Sequence, residues 1–144
     1  MPASRTRPTA VLQSSLLALG LFAAGFVEAG TPIVFNVVNN DFTAWRINNV
    51  DNPSLTLARG QTYQFVMQNV EAFHPFYINT IDTVGTGNQY NVGVTNNGAS
   101  GTMTLTFVVP QAAPDSLHYN CGNHASMNGP ITIITDAIFV SGFD

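Results

Sequence analysis

Lysine is absent from this 144-residue sequence, and only 8% of its residues are charged. Four arginines stand against eight acidic residues, which gives a formal net charge of −4. Proteins that bind nucleic acids or anionic membrane surfaces do so through clusters of basic side chains. The charge balance therefore argues against both partners and leaves a basic protein partner open.

The sequence also lacks an apolar run long enough to span a bilayer. The run over residues 16–27 has 12 residues, whereas a membrane-spanning helix needs about 20. It follows Arg5 and Arg7 and ends beside Glu28-Ala29, a pattern typical of a secretory signal peptide. We expect cleavage after Ala29, so that the mature protein is periplasmic or secreted and has no membrane span. The alternative is an uncleaved membrane anchor, which the short length of the run disfavours.

The length of the remaining chain suits one domain with one core. We expect a signal peptide over residues 1–29, a single domain over residues 30–135 and a C-terminal tail over residues 136–144.

Cysteine occurs once, as Cys121. Exported proteins commonly form disulfides, but one cysteine cannot form a disulfide within the chain. We therefore expect Cys121 either to be buried and inert or to be bonded to another species, such as a metal ion.

Helical periodicity is almost missing beyond residue 30, and short β-rich runs alternate with turn residues such as Asn96-Asn97-Gly98. The pattern predicts an all-β, antiparallel β-sandwich. The predicted strands are residues 32–38, 44–47, 54–57, 61–67, 74–80, 91–94, 101–109, 116–121 and 131–135. Core positions are predicted for five aromatic residues, Tyr63, Phe65, Phe73, Phe76 and Tyr77.

Cys121, His124 and Met127 follow the predicted strand over residues 116–121 at a spacing of three. A tight loop with this spacing can direct a thiolate, an imidazole and a thioether towards one point. This combination of soft and borderline ligands suits copper in both oxidation states. Zinc seldom uses a thioether and more often takes a further His, Cys or carboxylate.

A trigonal copper site needs a second histidine. Side chains alternate between the faces of a strand, so His118 should lie on the face opposite Cys121. His74 is the remaining histidine. We therefore predict that one copper ion is bound by His74, Cys121, His124 and Met127.

This ligand order resembles that of the cupredoxins, the small blue copper proteins that include plastocyanin, azurin and amicyanin. The resemblance extends from Ile33 to about Thr135. It implies a Greek-key β-sandwich with a type 1 copper site at one end, and one-electron transfer between redox protein partners. It also implies that His74, Cys121 and His124 are the trigonal ligands and that Met127 is the weak axial ligand.

Two positions beside the ligands depart from the family pattern. Many members have Asn after the first histidine, where this chain has Pro75, and plastocyanin and amicyanin have Pro before the second, where it has Asn123. The resemblance implies that the residue after the first histidine donates its backbone N–H to the cysteine sulfur. Proline has no N–H to donate, so we expect the Asn123 N–H to donate to the Cys121 sulfur instead. The family resemblance further implies that His124 reaches the surface in an apolar patch, for which we predict Pro75, Ala125, Gly129 and Pro130.

The main alternative is a copper carrier or buffer without an electron-transfer role, although such proteins often have exposed Met- or His-rich tracts and none is visible. A multicopper enzyme needs further histidines, and only His118 is spare, so we expect no enzymatic activity. A metal-free adhesion sandwich would leave the ligand cluster unexplained. The expected protein is a monomer that binds no nucleic acid, and the sequence names neither its electron donor nor its acceptor.

Overall fold

The computed structural model describes residues 30–135, so the predicted signal peptide and C-terminal tail lie outside the described residues. Ten strands and no helix are found within this range. The strands are β1 (Ile33–Asn40), β2 (Ala44–Ile47), β3 (Val50–Asp51), β4 (Leu55–Ala58), β5 (Thr62–Met67), β6 (Phe76–Asn79), β7 (Val94–Thr95), β8 (Thr104–Val108), β9 (Ser116–Cys121) and β10 (Asn128–Ile134).

The strands form two sheets that enclose one core. One sheet has the order β3-β2-β1-β5-β8-β7 and the other the order β4-β10-β9-β6. On β5, alternate residues point into the core, and Tyr63, Phe65 and Met67 are buried. Phe76 and Tyr119, from the smaller sheet, join the same cluster. The all-β sandwich that the sequence predicts is confirmed.

Both sheets are mixed rather than purely antiparallel. Strand β1 pairs with β5 in parallel, and β10 pairs with β4 in parallel. Parallel neighbours need a crossover connection, and here the chain between β1 and β5 forms β2 and β3 at one edge and places β4 in the other sheet. Short strands and turn residues predict hairpins well, but they carry no information on which distant strands become neighbours.

Asparagine residues shape several turns because they tolerate the left-handed region better than most side chains. In the predicted turn, Asn96 has φ 58° and Gly98 has φ 101°. The Asn97 side chain accepts a hydrogen bond from Ile78 N–H at 2.8 Å and donates to Ile78 O at 3.2 Å. The turn thus hydrogen-bonds to the edge of β6 that has no neighbouring strand. Strand β6 begins two residues after His74.

Among residues 30–135, none belongs to a helix that could cross a membrane.

Candidate metal centre

Cys121 is the last residue of β9, and its side chain lies on the inner face of the sheet with no exposed surface. Its register partner is Phe76 on β6. Its N–H donates to Met127 O at 2.8 Å, so the chain between these residues closes into a short loop. Met127 is also fully buried. The loop therefore keeps the thiol and the thioether at the same end of the sandwich.

Hydrogen bonds from neighbouring segments hold the 122–127 loop in place. The Asn52 side chain donates to Ser126 O at 2.8 Å, and Ser126 Oγ donates to Phe42 O at 2.7 Å. Inside the loop, Met127 N–H donates to His124 O at 3.2 Å. The position of His124 is thus fixed from both inside and outside the loop.

His74 comes from a separate segment that precedes β6, and its side chain is 1% exposed. Two hydrogen bonds join this segment to the 122–127 loop. Gly122 N–H donates to Pro75 O at 2.9 Å, and Asn123 Nδ2 donates to Phe73 O at 2.7 Å. Residues separated by about 50 positions in the sequence are therefore brought together by direct contacts next to the ligand candidates.

The donor atoms of three predicted ligands converge. Cys121 Sγ lies 3.7 Å from His74 Nδ1 and 3.6 Å from His124 Nδ1, and the three donor atoms lie within 4.8 Å of one another. Bonds of roughly 2.0–2.3 Å to one ion place nitrogen and sulfur donors about 3.5–3.8 Å apart. The spacing and the chemistry of this donor set fit a copper ion.

Burial determines the electrostatics of the cluster. It lowers the pKa of His74, an effect that the neighbouring His124 reinforces and Glu71 opposes. Burial also raises the pKa of the Cys121 thiol, while backbone N–H groups of Asn123 and His124 act in the opposite direction. A neutral imidazole has a free lone pair for a metal ion, whereas the thiol must lose its proton on binding.

The backbone N–H of Asn123 lies 3.5 Å from Cys121 Sγ and donates to it, in agreement with the sequence-based expectation. Pro75, the other departure from the family pattern, accepts the hydrogen bond from Gly122 through its carbonyl group.

His118 lies outside the cluster. It is on the opposite face of β9 from Cys121, next to Asn79 on β6 and Pro130 on β10. The alternation of side chains along β9 therefore assigned this histidine to the correct face.

The ring of His124 has two aromatic neighbours that the sequence did not predict. Its half-buried ring is flanked by Phe42 and Phe73, each with its ring centroid 6.3 Å away. These phenylalanines are 64% and 57% exposed. The predicted core position of Phe73 is thus wrong, because Phe73 lies in the turn before β6 and not on an inward-facing strand position.

Gly129 also fails to fit the predicted surface patch. It is buried under Tyr119, and a Cβ atom at this position would overlap the tyrosine hydroxyl group. Gly129 belongs to β10, whose inward positions face the core, so it cannot contribute to the surface around His124.

Sequence reasoning missed Phe42 and Glu71, which contact proposed ligands, and Ser126, which joins the loop to Phe42. For Glu71, the spacing of three from His74 was an available signal, since a turn brings such residues together. Phe42 gave no comparable signal because its proximity depends on how the β1–β2 turn packs against the other sheet.

No family model matches the sequence, and no curated protein sequence matches it. Solved structures of rusticyanin do match. A substituted rusticyanin superposes with a TM-score of 0.53 at 20% identity, covering 73% of this chain and 79% of the other. A structure of the copper protein rusticyanin gives 0.52 at 18% identity, with the same coverage of both chains.

Rusticyanin from Thiobacillus ferrooxidans matches with a TM-score of 0.50 at 20% identity, again over 73% of this chain and 79% of the other. Similarity at this level establishes architecture. Two packed sheets, the strand order and these structural matches agree with the fold that the sequence resemblance implied. The chain has the cupredoxin fold.

Proposed function

We propose that this chain is an exported type 1 copper protein that carries single electrons between redox protein partners and is not an enzyme. The observation behind the proposal is the convergence of Cys121 Sγ with the Nδ1 atoms of His74 and His124 at one buried end of the cupredoxin fold. His74, Cys121 and His124 would be the strong ligands, and Met127 the weak axial ligand of one copper ion.

Bound copper would supply a one-electron couple, and the protein would keep the geometry nearly constant between the two oxidation states. The hydrogen bonds that join the His74 segment to the 122–127 loop support this role, because they restrain ligands from two separate segments. Burial of Cys121 and Met127 excludes water from the inner side. Donation by the Asn123 N–H to Cys121 Sγ would favour the reduced form.

His124 would be the exit for electrons, since it combines a proposed ligand with partial exposure. Phe42 and Phe73 flank its ring and protrude into solvent. Exposed aromatic side chains around a partly exposed ligand suit the short-lived contact that an electron carrier makes with its partners. The identity of those partners is open.

Visible spectra of the copper-loaded protein test the proposal. We expect an intense thiolate-to-Cu(II) absorption in the wild type, complete loss of colour in Cys121→Ser, and an unchanged spectrum in His118→Ala. Met127→Leu should keep the colour and raise the reduction potential, because the strong ligands remain while axial donation to Cu(II) is lost.

A colourless wild-type protein with stoichiometric Cu(II) would contradict the proposal. Strong colour combined with electron exchange too slow to detect between the oxidised and reduced protein would instead favour a copper carrier.

A further inference from the structure

The two ring nitrogens of His74 face different groups. Nδ1 lies 3.7 Å from Cys121 Sγ, on the side of the proposed ligands. Nε2 lies 3.5 Å from Glu71 Oε2. An imidazole that binds a metal through one nitrogen can donate the N–H of the other, and the partner of that N–H sets the tautomer and the orientation of the ring.

Glu71 is itself held at two points. Its carboxylate oxygen Oε2 accepts a hydrogen bond from Asn39 Nδ2 at 2.8 Å, which fixes it to β1. Its main-chain carbonyl accepts a hydrogen bond from His74 N–H at 2.9 Å, which closes the turn between them. The oxygen that approaches His74 is therefore located by the backbone of its own turn and by a strand of the larger sheet.

We propose that Glu71 is a positioning residue for His74: its carboxylate keeps Nε2 protonated, leaves the Nδ1 lone pair free for the metal and stabilises the oxidised centre. The inference rests on the proposed function. The 3.5 Å separation exceeds the usual N–H···O distance of about 2.7–3.2 Å, so the negative charge of the carboxylate carries most of the effect.

The charge of Glu71 should favour one oxidation state of the metal over the other, because the buried imidazole of His74 lies between the carboxylate and the proposed site. The His74 side chain is 1% exposed, while that of Glu71 is 56% exposed. Cu(II) carries one more positive charge than Cu(I), and a nearby anion therefore favours the oxidised state. Screening by water at the exposed carboxylate reduces this preference without changing its sign.

The reduction potential of Glu71→Gln measures the electrostatic part of the proposal. Loss of an outer partner of a metal-binding histidine typically weakens metal affinity 10- to 100-fold. We expect the lower limit for a half-exposed carboxylate: about a tenfold loss of Cu(II) affinity relative to Cu(I), which is a rise of about 59 mV.

Asp41→Asn is the matched control. It removes the same charge from an exposed loop position next to Phe42, and Asn tolerates the positive φ of 46° found there. We expect its potential to rise by less than half as much as that of Glu71→Gln. Equal shifts in the two variants would reduce Glu71 to an ordinary surface charge and overturn the inference.

The tautomer of His74 provides a readout without copper. Long-range ¹⁵N–¹H correlation spectra of the metal-free protein should show the Nε2–H form in the wild type. In Glu71→Ala, which removes the acceptor, the ratio of Nε2–H to Nδ1–H should fall several-fold. An unchanged ratio would overturn the positioning role. If the wild type lacks the blue spectrum, the proposed function fails as well, whereas a blue wild type with no Glu71 effects removes only this inference.

Discussion

The two faces of strand β9 carry very different chemistry although they belong to the same six residues. Leu117, Tyr119 and Cys121 point inward and have no exposed surface. His118 and Asn120 point outward, where Asn120 is nevertheless 1% exposed. Each face thus contains a buried polar or titratable group, and each could have been taken for a functional site from composition alone.

The outer face forms a network of amides rather than a ligand set. Asn79 Nδ2 donates to Asn120 Oδ1 at 3.3 Å, and Asn120 Nδ2 donates to Asp82 Oδ1 at 2.7 Å. Among the described residues, His118 Nδ1 and Asn79 Oδ1 are buried without a hydrogen-bond partner. The inner face differs because a second segment and a loop bring two further donors to Cys121. Convergence of several donors, and not the presence of a histidine, separates the two faces.

Removal of one histidine from each face of β9 tests whether the two faces differ in metal binding. A metal that binds only the folded protein stabilises it by about 4 kcal/mol at a free concentration 1,000 times Kd. We expect His74→Ala to lose most of this gain, because a proposed strong ligand is missing, whereas His118→Ala should retain it. Thermal melts of each variant with and without copper measure the difference.

Each variant is compared with its own metal-free form, so the cavity left by a buried imidazole does not enter the result. Equal copper-induced stabilisation in wild type and His74→Ala would exclude His74 as a ligand and would bring His118 back into consideration.

The two faces of β9 illustrate which structural features can be predicted from the local sequence pattern. Alternation along residues 116–121 was enough to assign Cys121 and His118 to opposite faces, because register on a strand is a local property. The strand Ala44–Ile47 was predicted with its observed bounds, whereas residues 91–94 were predicted as a strand and only Val94–Thr95 pair. Local pattern does not tell whether a short apolar run finds a neighbour.

The surroundings of the proposed ligands were less predictable than the ligands. The soft donors stood out by their chemistry and spacing, and their assignment as ligands remains a prediction. Phe42, Phe73 and Glu71 reach the site through turns whose packing depends on both sheets. Their roles follow from tertiary contacts that residue type and periodicity do not specify.

A second prediction tests whether water is excluded from the inner face of β9 beneath the proposed metal site. Tyr119 is fully buried and donates a hydrogen bond to Pro53 O at 2.6 Å. Burial raises its pKa far above the ordinary value, so the folded protein keeps the proton while the unfolded chain loses it above about pH 10. The contribution of Tyr119 to the free energy of unfolding is therefore intact below pH 10 and falls as pH rises, by about 1.4 kcal/mol at pH 11.

Denaturant unfolding of wild type and Tyr119→Phe at pH 8 and pH 11 measures this effect. The variant should lose about 0.5–1.5 kcal/mol at pH 8, because a hydrogen bond is missing, and it should show a smaller further loss at pH 11 than the wild type. If the free energy of unfolding falls equally in both proteins between pH 8 and pH 11, water reaches Tyr119 and the inner face does not exclude it.

The smallest expected effect concerns the hydrogen bond to the sulfur on the inner face. Asn123→Pro removes the N–H that lies 3.5 Å from Cys121 Sγ. In the proposed copper site this bond would withdraw electron density from the thiolate and favour Cu(I), so its loss should lower the reduction potential. A net contribution of about 0.5–1.5 kcal/mol corresponds to about 20–60 mV for one electron.

Asn123→Ala separates the backbone effect from that of the side chain. Both variants lose the bond from Asn123 Nδ2 to Phe73 O, and both should therefore be less stable by about 0.5–1.5 kcal/mol. Only the proline variant loses the N–H. Glycine precedes this position, so the added ring meets no Cβ of the preceding residue. A potential that falls equally in both variants would assign the effect to the link between the two ligand segments, and the sulfur hydrogen bond would then have no measurable influence on the site.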